Sequence, residues 1–198
     1  MEKKQSKVRV VIRVRPPLQD KDKTSVTTED NHVTIFNHRN TKENIQYDFS
    51  HVYGAASSQQ EVFNDSVKPL LPKALNGQNV SIFAYGPTGA GKTHTMLGTS
   101  SEPGVIPRVI YGIFSNIEEE KRVSNEWTYS VSLSYLEIYN EKVQDLLEPS
   151  GMDLPIREDA DKNILVPGLA KKPIHSFDEF KNIFGPASNN RYPYSVTP

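Results

Sequence analysis

The feature that most constrains this chain is the segment Gly86-Pro87-Thr88-Gly89-Ala90-Gly91-Lys92-Thr93, which has the spacing G-x-x-x-x-G-K-T. The glycines allow a tight turn whose backbone N–H groups point inward, where they can cradle phosphate oxygens. In such a loop Lys92 is expected to reach the β- and γ-phosphates of a nucleotide, and the hydroxyl of Thr93 to bind Mg²⁺.

The sequence around this loop supports the same interpretation. An apolar run at residues 80–85 precedes it and predicts a buried strand, and a helix is expected to begin near Lys92 and to add its dipole. The alternative is a glycine-rich turn with an incidental lysine. That alternative is disfavoured, because the motif has four fixed positions and a strand-like run directly before it.

Composition excludes several classes of protein. Among the 198 residues no run approaches the ~18 apolar residues of a spanning helix, and residues 1–6 lead into a strand pattern rather than a signal-peptide core. The chain has no cysteine, which excludes disulfides and thiolate metal sites. The net charge is −1, so nucleic acid is not the expected partner of this segment. A membrane is not expected either, because the sequence has no long apolar run.

Hydrophobic periodicity predicts strands alternating with helices. Alternating apolar residues predict a strand over 8–14 that Pro16 and Pro17 end, and strand-like runs follow at 32–37 and 45–49. A capping box at Ser58 predicts a helix that stops at Gly77, and Pro107 fits the first turn of another helix.

The second half of the chain continues this alternation. A long strand is predicted over 127–135, a hairpin whose tip lies at 158–161, and a last helix capped by Ser176. Strands and helices that alternate around a phosphate loop predict an α/β sheet, with the nucleotide at the carboxyl end of a strand.

Three blocks of the sequence resemble one family. The loop runs on as His94-Thr95-Met96, residues 13–16 read R-V-R-P, and residues 135–147 read Y-L-E-I-Y-N-E-K-V-Q-D-L-L. Together with P-G-V-I-P-R at 103–108, these blocks are similar to kinesin motor domains from about residue 7 to residue 191. Pro87, Ala90 and residues 156–165 lean towards the chromokinesin subfamily.

The resemblance implies a P-loop NTPase-type α/β fold, with a central, mostly parallel sheet flanked by helices. It also implies an ATPase that binds ATP or ADP with Mg²⁺ and moves on microtubules. A location in the cytoplasm on the cytoskeleton is expected, and a nuclear or spindle location if the chain belongs with the chromokinesins. The sequence does not predict an oligomeric state, a cargo or a direction of movement.

By the same resemblance Arg13, Arg15, Pro16 and His94 are expected to flank the adenine. A proline ring and an imidazole offer flat surfaces for stacking, and either arginine can add a cation–π contact. The alternative for Arg13 and Arg15 is a solvated strand face. For His94 the alternative is a capped-helix or core histidine.

Other residues are given structural interpretations. Glu141 and Asp145 are predicted on a short helical stretch, where a solvated face is favoured over acid–base catalysis. Trp127 and the tyrosines after it are interpreted as core or sheet-face aromatics. The scattered histidines suggest no metal site. Lys171 and Lys172 are interpreted as a solvated pair, with a contact to tubulin as the alternative.

The predicted domain organisation is a polar tail at 1–6, a partial kinesin motor domain at 7–191, and a divergent, disordered tail at 192–198. The two switch strings of the family, S-S-R-S-H and D-L-A-G-S-E, do not occur in this sequence. The chain is therefore expected to be truncated, to contain no catalytic residues and to turn over ATP hardly at all. The alternative function is a non-catalytic nucleotide-binding or interaction fragment, and a P-loop kinase or GTPase is disfavoured.

Overall fold

The first strand forms within residues 8–14, where apolar and polar residues alternate, and it pairs with a strand that the sequence does not predict. In this computed structural model, which describes residues 8–17, 25–37, 40, 43–124 and 126–191, β1 is Val11–Arg13. A second strand, His51–Tyr53, pairs with β1 in parallel. The sequence does not predict this strand, because three residues are too few to show a hydrophobic period. The chain divides into two units, residues 1–109 and 110–198.

The first unit also holds a three-stranded antiparallel sheet. Its strands are β2 (Val26–Glu29), β3 (His32–Ile35) and β4 (Ile45–Asp48), with β3 in the middle, and His51–Tyr53 is then β5. The strands predicted at 32–37 and 45–49 are confirmed, whereas β2 was missed. The imidazole Nδ1 of His32 and the carboxylate Oδ1 of Asp48 lie 2.5 Å apart across the sheet.

The predicted capping box at Ser58 is present. The hydroxyl of Ser58 accepts a hydrogen bond from the backbone N–H of Glu61 (3.2 Å), and the Glu61 carboxylate accepts one from the backbone N–H of Ser58 (2.6 Å). The backbone N–H of Ser58 and then the Ser58 hydroxyl, which donates to the same carboxylate at 2.9 Å, lower the pKa of the Glu61 carboxyl. Their stabilising effect is therefore present above the ordinary pKa of glutamate and is lost as the pH falls through the lowered value.

The helix that follows changes its winding along its length. It begins as α1 (Gln59–Val62), widens to a π-helical segment (Phe63–Val67), tightens to a 3₁₀ turn (Lys68–Leu70) and ends as α2 (Leu71–Leu75). Pro69 and Pro72 lie in the later segments, where they cannot donate backbone hydrogen bonds. The helix still buries one face and ends just before Gly77, as predicted.

Replacing Ser58 by alanine is expected to lower the free energy of unfolding by about 1 kcal/mol, because the first turn then loses its side-chain acceptor. Urea unfolding followed by circular dichroism measures this change. Ser58→Asp is the matched control, since it retains an acceptor oxygen and should restore most of the loss. Equal destabilisation by both substitutions would show that the cap does not stabilise this helix.

The prediction of a buried strand at residues 80–85 is wrong for this structure. The segment belongs to no strand, and its large apolar side chains are exposed, with Phe83 at 73% and Tyr85 at 98%. An apolar run forms a strand only where neighbouring backbone can accept and donate its hydrogen bonds. None of the strands that the structure describes pairs with this segment.

Two further helices agree with the predictions. Helix α3 is Lys92–Met96, and helix α4, Val105–Val123, has Pro107 in its first turn. Val105, Phe114 and Ile117 of α4 are buried. Among the described helices, none is both long enough and apolar enough to cross a membrane.

After α4, the described residues of the second unit form three short antiparallel pairs and a helix. Strand β6 (Val131–Leu133) pairs with β11 (Lys172–Ile174), β7 (Leu136–Tyr139) with β8 (Lys142–Asp145), and β9 (Arg157–Glu158) with β10 (Ile164–Leu165). Helix α5, Phe177–Asn189, begins after a Ser176 cap as predicted. The most deeply buried side chains of this unit are Leu146, Ile174 and Phe180.

Two predictions for the second unit are wrong and one is confirmed. The strand predicted over 127–135 is reduced to β6, and Trp127 is 67% exposed, because β11 pairs with only three of its residues. The stretch after Asn140 is not helical: Asn140 (φ 49°) and Glu141 (φ 61°) form the tight turn of the β7–β8 hairpin. The hairpin predicted around 158–161 is confirmed by the β9–β10 pair.

The strand pairing also differs from the expected central, mostly parallel sheet. Of the described pairs only β1–β5 is parallel, and the strands form several small sheets. Residues 1–7 and 192–198, which include both predicted tails, lie outside the described residues. The predicted domain boundaries stay predictions.

Candidate functional site

The phosphate-loop motif folds into a turn that depends on glycine. Gly89 has a φ of 81° and Gly91 a φ of 97°, values that side-chain-bearing residues rarely adopt. Between them the backbone N–H of Ala90 donates to the carbonyl of Pro87 at 3.1 Å. Gly91 is the N-cap of α3, so the helix begins at Lys92 as the motif predicts.

The first turn of α3 presents backbone donors at the end of this loop. The N–H groups of Lys92, Thr93 and His94 have no acceptor within the helix, and Gly91 has no side chain that could cap them. Helix α3 is only five residues long, so its dipole is small. The attraction for an anion therefore comes mainly from the individual N–H groups and from Lys92.

The ammonium group of Lys92 lies over the loop. Its Nζ donates to the carbonyl oxygens of Gly86 and Pro87, each at 2.9 Å. Because these acceptors are neutral carbonyls, the positive charge at this end of the loop is not cancelled by them. A phosphate could replace either carbonyl as the partner of Nζ.

Thr93 is exposed at the start of α3 and fits the role of a Mg²⁺ ligand. A hydroxyl oxygen is a suitable donor for this hard cation, which is commonly held by few protein ligands together with water and phosphate oxygens. No group of three or more His, Asp or Glu side chains suited to a metal occurs in the described part of the chain. A Mg²⁺ ion at Thr93 would therefore take most of its ligands from phosphate and water.

Two of the predicted base-pocket residues contact the loop and the helix after it. Arg15 Nη1 donates to the carbonyl of Gly89, and Arg13 Nη1 donates to Thr95 Oγ1 of α3 at 3.1 Å. Burial lowers the pKa of the Arg13 guanidinium, and nearby Glu102 offsets part of that effect. A solvated strand face therefore does not describe Arg13, whereas Arg15 and Pro16 are exposed.

A residue that the sequence did not single out connects these groups. Gln59, the first residue of α1, is buried and donates through Nε2 to the backbone carbonyl of His94 at 2.6 Å. Its Oε1 accepts from Arg13 Nη1 at 2.7 Å. The sequence signal was only its position after the Ser58 cap, which is an ordinary place for glutamine.

The other polar residues considered from sequence have structural roles here. Asp145 is buried, and its carboxylate accepts hydrogen bonds from the backbone N–H groups of Leu147, Glu148 and Ala170. It therefore lies neither on a helix nor on a solvated face. Lys172 forms an ion pair with Glu148 at 3.4 Å.

Comparisons with known proteins show which family this chain belongs to. A family model described as the kinesin motor domain matches residues 3–197. The kinesin-like protein KIF22 of Danio rerio is 52% identical over 194 residues, which are 96% of this chain and 31% of that protein. KIF22 of Rattus norvegicus is 50% identical over 188 residues, 94% of this chain and 29% of that protein.

A solved structure has the same fold. It is described as a fast kinesin, with implications for its ATPase mechanism and its interactions with microtubules. The TM-score is 0.86 at 32% identity, and the match covers 96% of this chain and 55% of that one.

The chain belongs to the kinesin motor domain family. Within that family it is similar to KIF22, so the predicted likeness to chromokinesins is confirmed. It spans about 30% of the length of these curated relatives. The predicted kinesin-type fold class is confirmed as well.

Proposed function

We propose that this chain binds ATP with Mg²⁺ through residues 86–93, as part of a microtubule-based motor ATPase. The observation that carries the proposal is the contact between Arg15 and the Gly89 carbonyl, which brings the segment directly after β1 against the phosphate loop. A base held near Arg15 and Pro16 would then lie beside phosphates held by Lys92. Titration calorimetry with ATP and Mg²⁺ tests the binding directly.

The phosphate side of the proposed site is formed by Gly86, Pro87, Thr88, Gly89, Ala90, Gly91, Lys92 and Thr93. The backbone donors of the first turn of α3 and the Lys92 ammonium supply the attraction for phosphate. When bound, Mg²⁺ would neutralise part of the charge on the phosphate oxygens, with the Thr93 hydroxyl as its protein ligand.

The base side of the proposed site is formed by Arg13, Arg15, Pro16 and His94. His94 is exposed at the start of α3, and Arg15 is exposed and donates a hydrogen bond to the Gly89 carbonyl. Both side chains can therefore face a base. The guanidinium of Arg13 is engaged by three protein acceptors. Arg13 would therefore position the residues around the base rather than stack on the base itself.

Replacing His94 by alanine or Pro16 by glycine is expected to weaken ATP binding by about 1 kcal/mol, because each removes a flat stacking surface. Titration calorimetry against ATP measures the change. Affinity for inorganic tripolyphosphate serves as the control and should stay the same, since neither side chain supplies a phosphate contact. Unchanged ATP affinity in both variants would contradict the proposed base pocket.

Movement on microtubules is proposed for the whole protein on the ground of its family, with tubulin as the partner. A cytoplasmic, cytoskeletal location follows from this proposal, and a spindle or nuclear one from its chromokinesin-like subfamily. Low turnover by residues 1–198 alone, with no stimulation by microtubules, stays a prediction from the two missing switch strings. Steady-state ATPase assays with and without microtubules check it.

A further inference from the structure

The side chain of Gln59 is the most completely engaged buried amide near the proposed nucleotide site. It is 4% exposed, and both ends of its amide are bound. Its Oε1 accepts from Arg13 Nη1 at 2.7 Å, and its Nε2 donates to the His94 carbonyl at 2.6 Å. The same Nε2 lies 3.4 Å from the ring Nε2 of His94.

Gln59 therefore joins three separate parts of the first unit. Arg13 is the last residue of the first strand, Gln59 is the first residue of α1, and His94 lies in α3 immediately after the phosphate loop. Arg13 is held further by Thr95 Oγ1 (3.1 Å) and by the carbonyl of Ser57 (3.2 Å). The capping box fixes the start of α1, and thus the backbone from which Gln59 extends.

We propose that Gln59 is a positioning residue for the base side of the nucleotide site. It sets the separation between the end of the first strand and His94, which form two walls of the proposed base pocket. This inference rests on the proposed ATP binding. A buried amide with both ends bound is suited to the task, because either partner loses its hydrogen bond if the walls move apart.

In the described structure the side chain of Gln59 forms no hydrogen bond with residues 86–93. Among the described residues, the hydrogen-bond partners of the Lys92 ammonium are the carbonyls of Gly86 and Pro87, and Gln59 contacts neither. Loss of Gln59 should therefore weaken recognition of the base and leave recognition of phosphate unchanged. A purely structural role would weaken both together.

The test compares ATP with inorganic tripolyphosphate, each titrated calorimetrically with Mg²⁺ into the 198-residue chain. Gln59→Met keeps the length of the side chain and removes both hydrogen bonds. We expect its Kd for ATP to rise about tenfold, and its Kd for tripolyphosphate to change less than about twofold. Gln60→Met is the matched control, because Gln60 is exposed on the same turn and contacts Asn64 and Arg108 instead.

A second variant keeps the proposal testable if Gln59→Met does not fold, as judged by circular dichroism. Gln59→Glu retains an acceptor for Arg13 and loses the donor to the His94 carbonyl, so its Kd for ATP should rise relative to that of the unmodified chain while its Kd for tripolyphosphate stays unchanged. Unchanged ATP affinity, or an equal loss for both ligands, would overturn the proposal. Lys92→Ala distinguishes failure of this inference from failure of the proposed function. If Lys92→Ala binds ATP and tripolyphosphate as tightly as the unmodified chain does, the proposed function itself fails.

Discussion

Replacing Lys92 by alanine is expected to abolish labelling of the chain by a photoreactive ATP analogue. The substitution removes an ammonium that can form charge-assisted hydrogen bonds to two phosphates, each contributing about 1.5–3 kcal/mol. The Kd for ATP should therefore rise at least about 100-fold. Labelling at a fixed analogue concentration, with excess ATP as competitor, measures the effect.

The matched control for this substitution is Lys73→Ala. Lys73 is also a lysine of the first unit, but it is exposed on α2 and is not part of the motif. Its replacement should leave labelling unchanged and should show that the loss in Lys92→Ala is not an effect of net charge. Labelling of Lys92→Ala at the level of the unmodified chain would refute the assignment of the phosphate site.

The largest expected effect on stability is that of Asp145→Ala. This carboxylate is 5% exposed and accepts hydrogen bonds from Leu147 (2.7 Å), Glu148 (3.0 Å) and Ala170 (2.6 Å), all through backbone N–H groups. Alanine would leave these donors without their acceptor. We expect the free energy of unfolding to fall by about 3–5 kcal/mol, measured by urea unfolding.

Asp161→Ala is the control for this effect. Asp161 is exposed in the turn between β9 and β10, so its replacement should change the free energy of unfolding by less than about 0.5 kcal/mol. If Asp145→Ala were equally mild, the three hydrogen bonds would not stabilise the fold. Such a result would also reopen a solvated position for Asp145, as the sequence first suggested.

Features that depend on a few neighbouring residues were predicted correctly. The caps at Ser58 and Ser176 are set by side chains that bind backbone groups three residues away. The start of α3 at Lys92 follows from the left-handed backbone at Gly91. In each case the interacting atoms are close along the chain, so the sequence pattern contains the whole interaction.

Some of the features that depend on a strand partner are predicted wrongly. Residues 80–85 and Trp127 have the apolar pattern of strands, yet backbone pairing reaches neither segment within the described structure. The stretch after Asn140 is predicted to be helical but forms β8, because Asn140 and Glu141 adopt the positive φ of a hairpin turn. Strand pairing is a contact between residues that are distant along the chain. A local pattern shows only that one of the two segments is suited to form a strand.

The proposed nucleotide site divides in the same way. The loop at 86–93, with Lys92 and Thr93, could be located from its spacing alone, because the motif is contiguous and its glycines permit its conformation. The contacts of Arg15 with Gly89 and of Gln59 with both Arg13 and His94 join residues far apart in the chain. Only folding brings such groups within hydrogen-bond distance, and no spacing in the sequence records the distance between them.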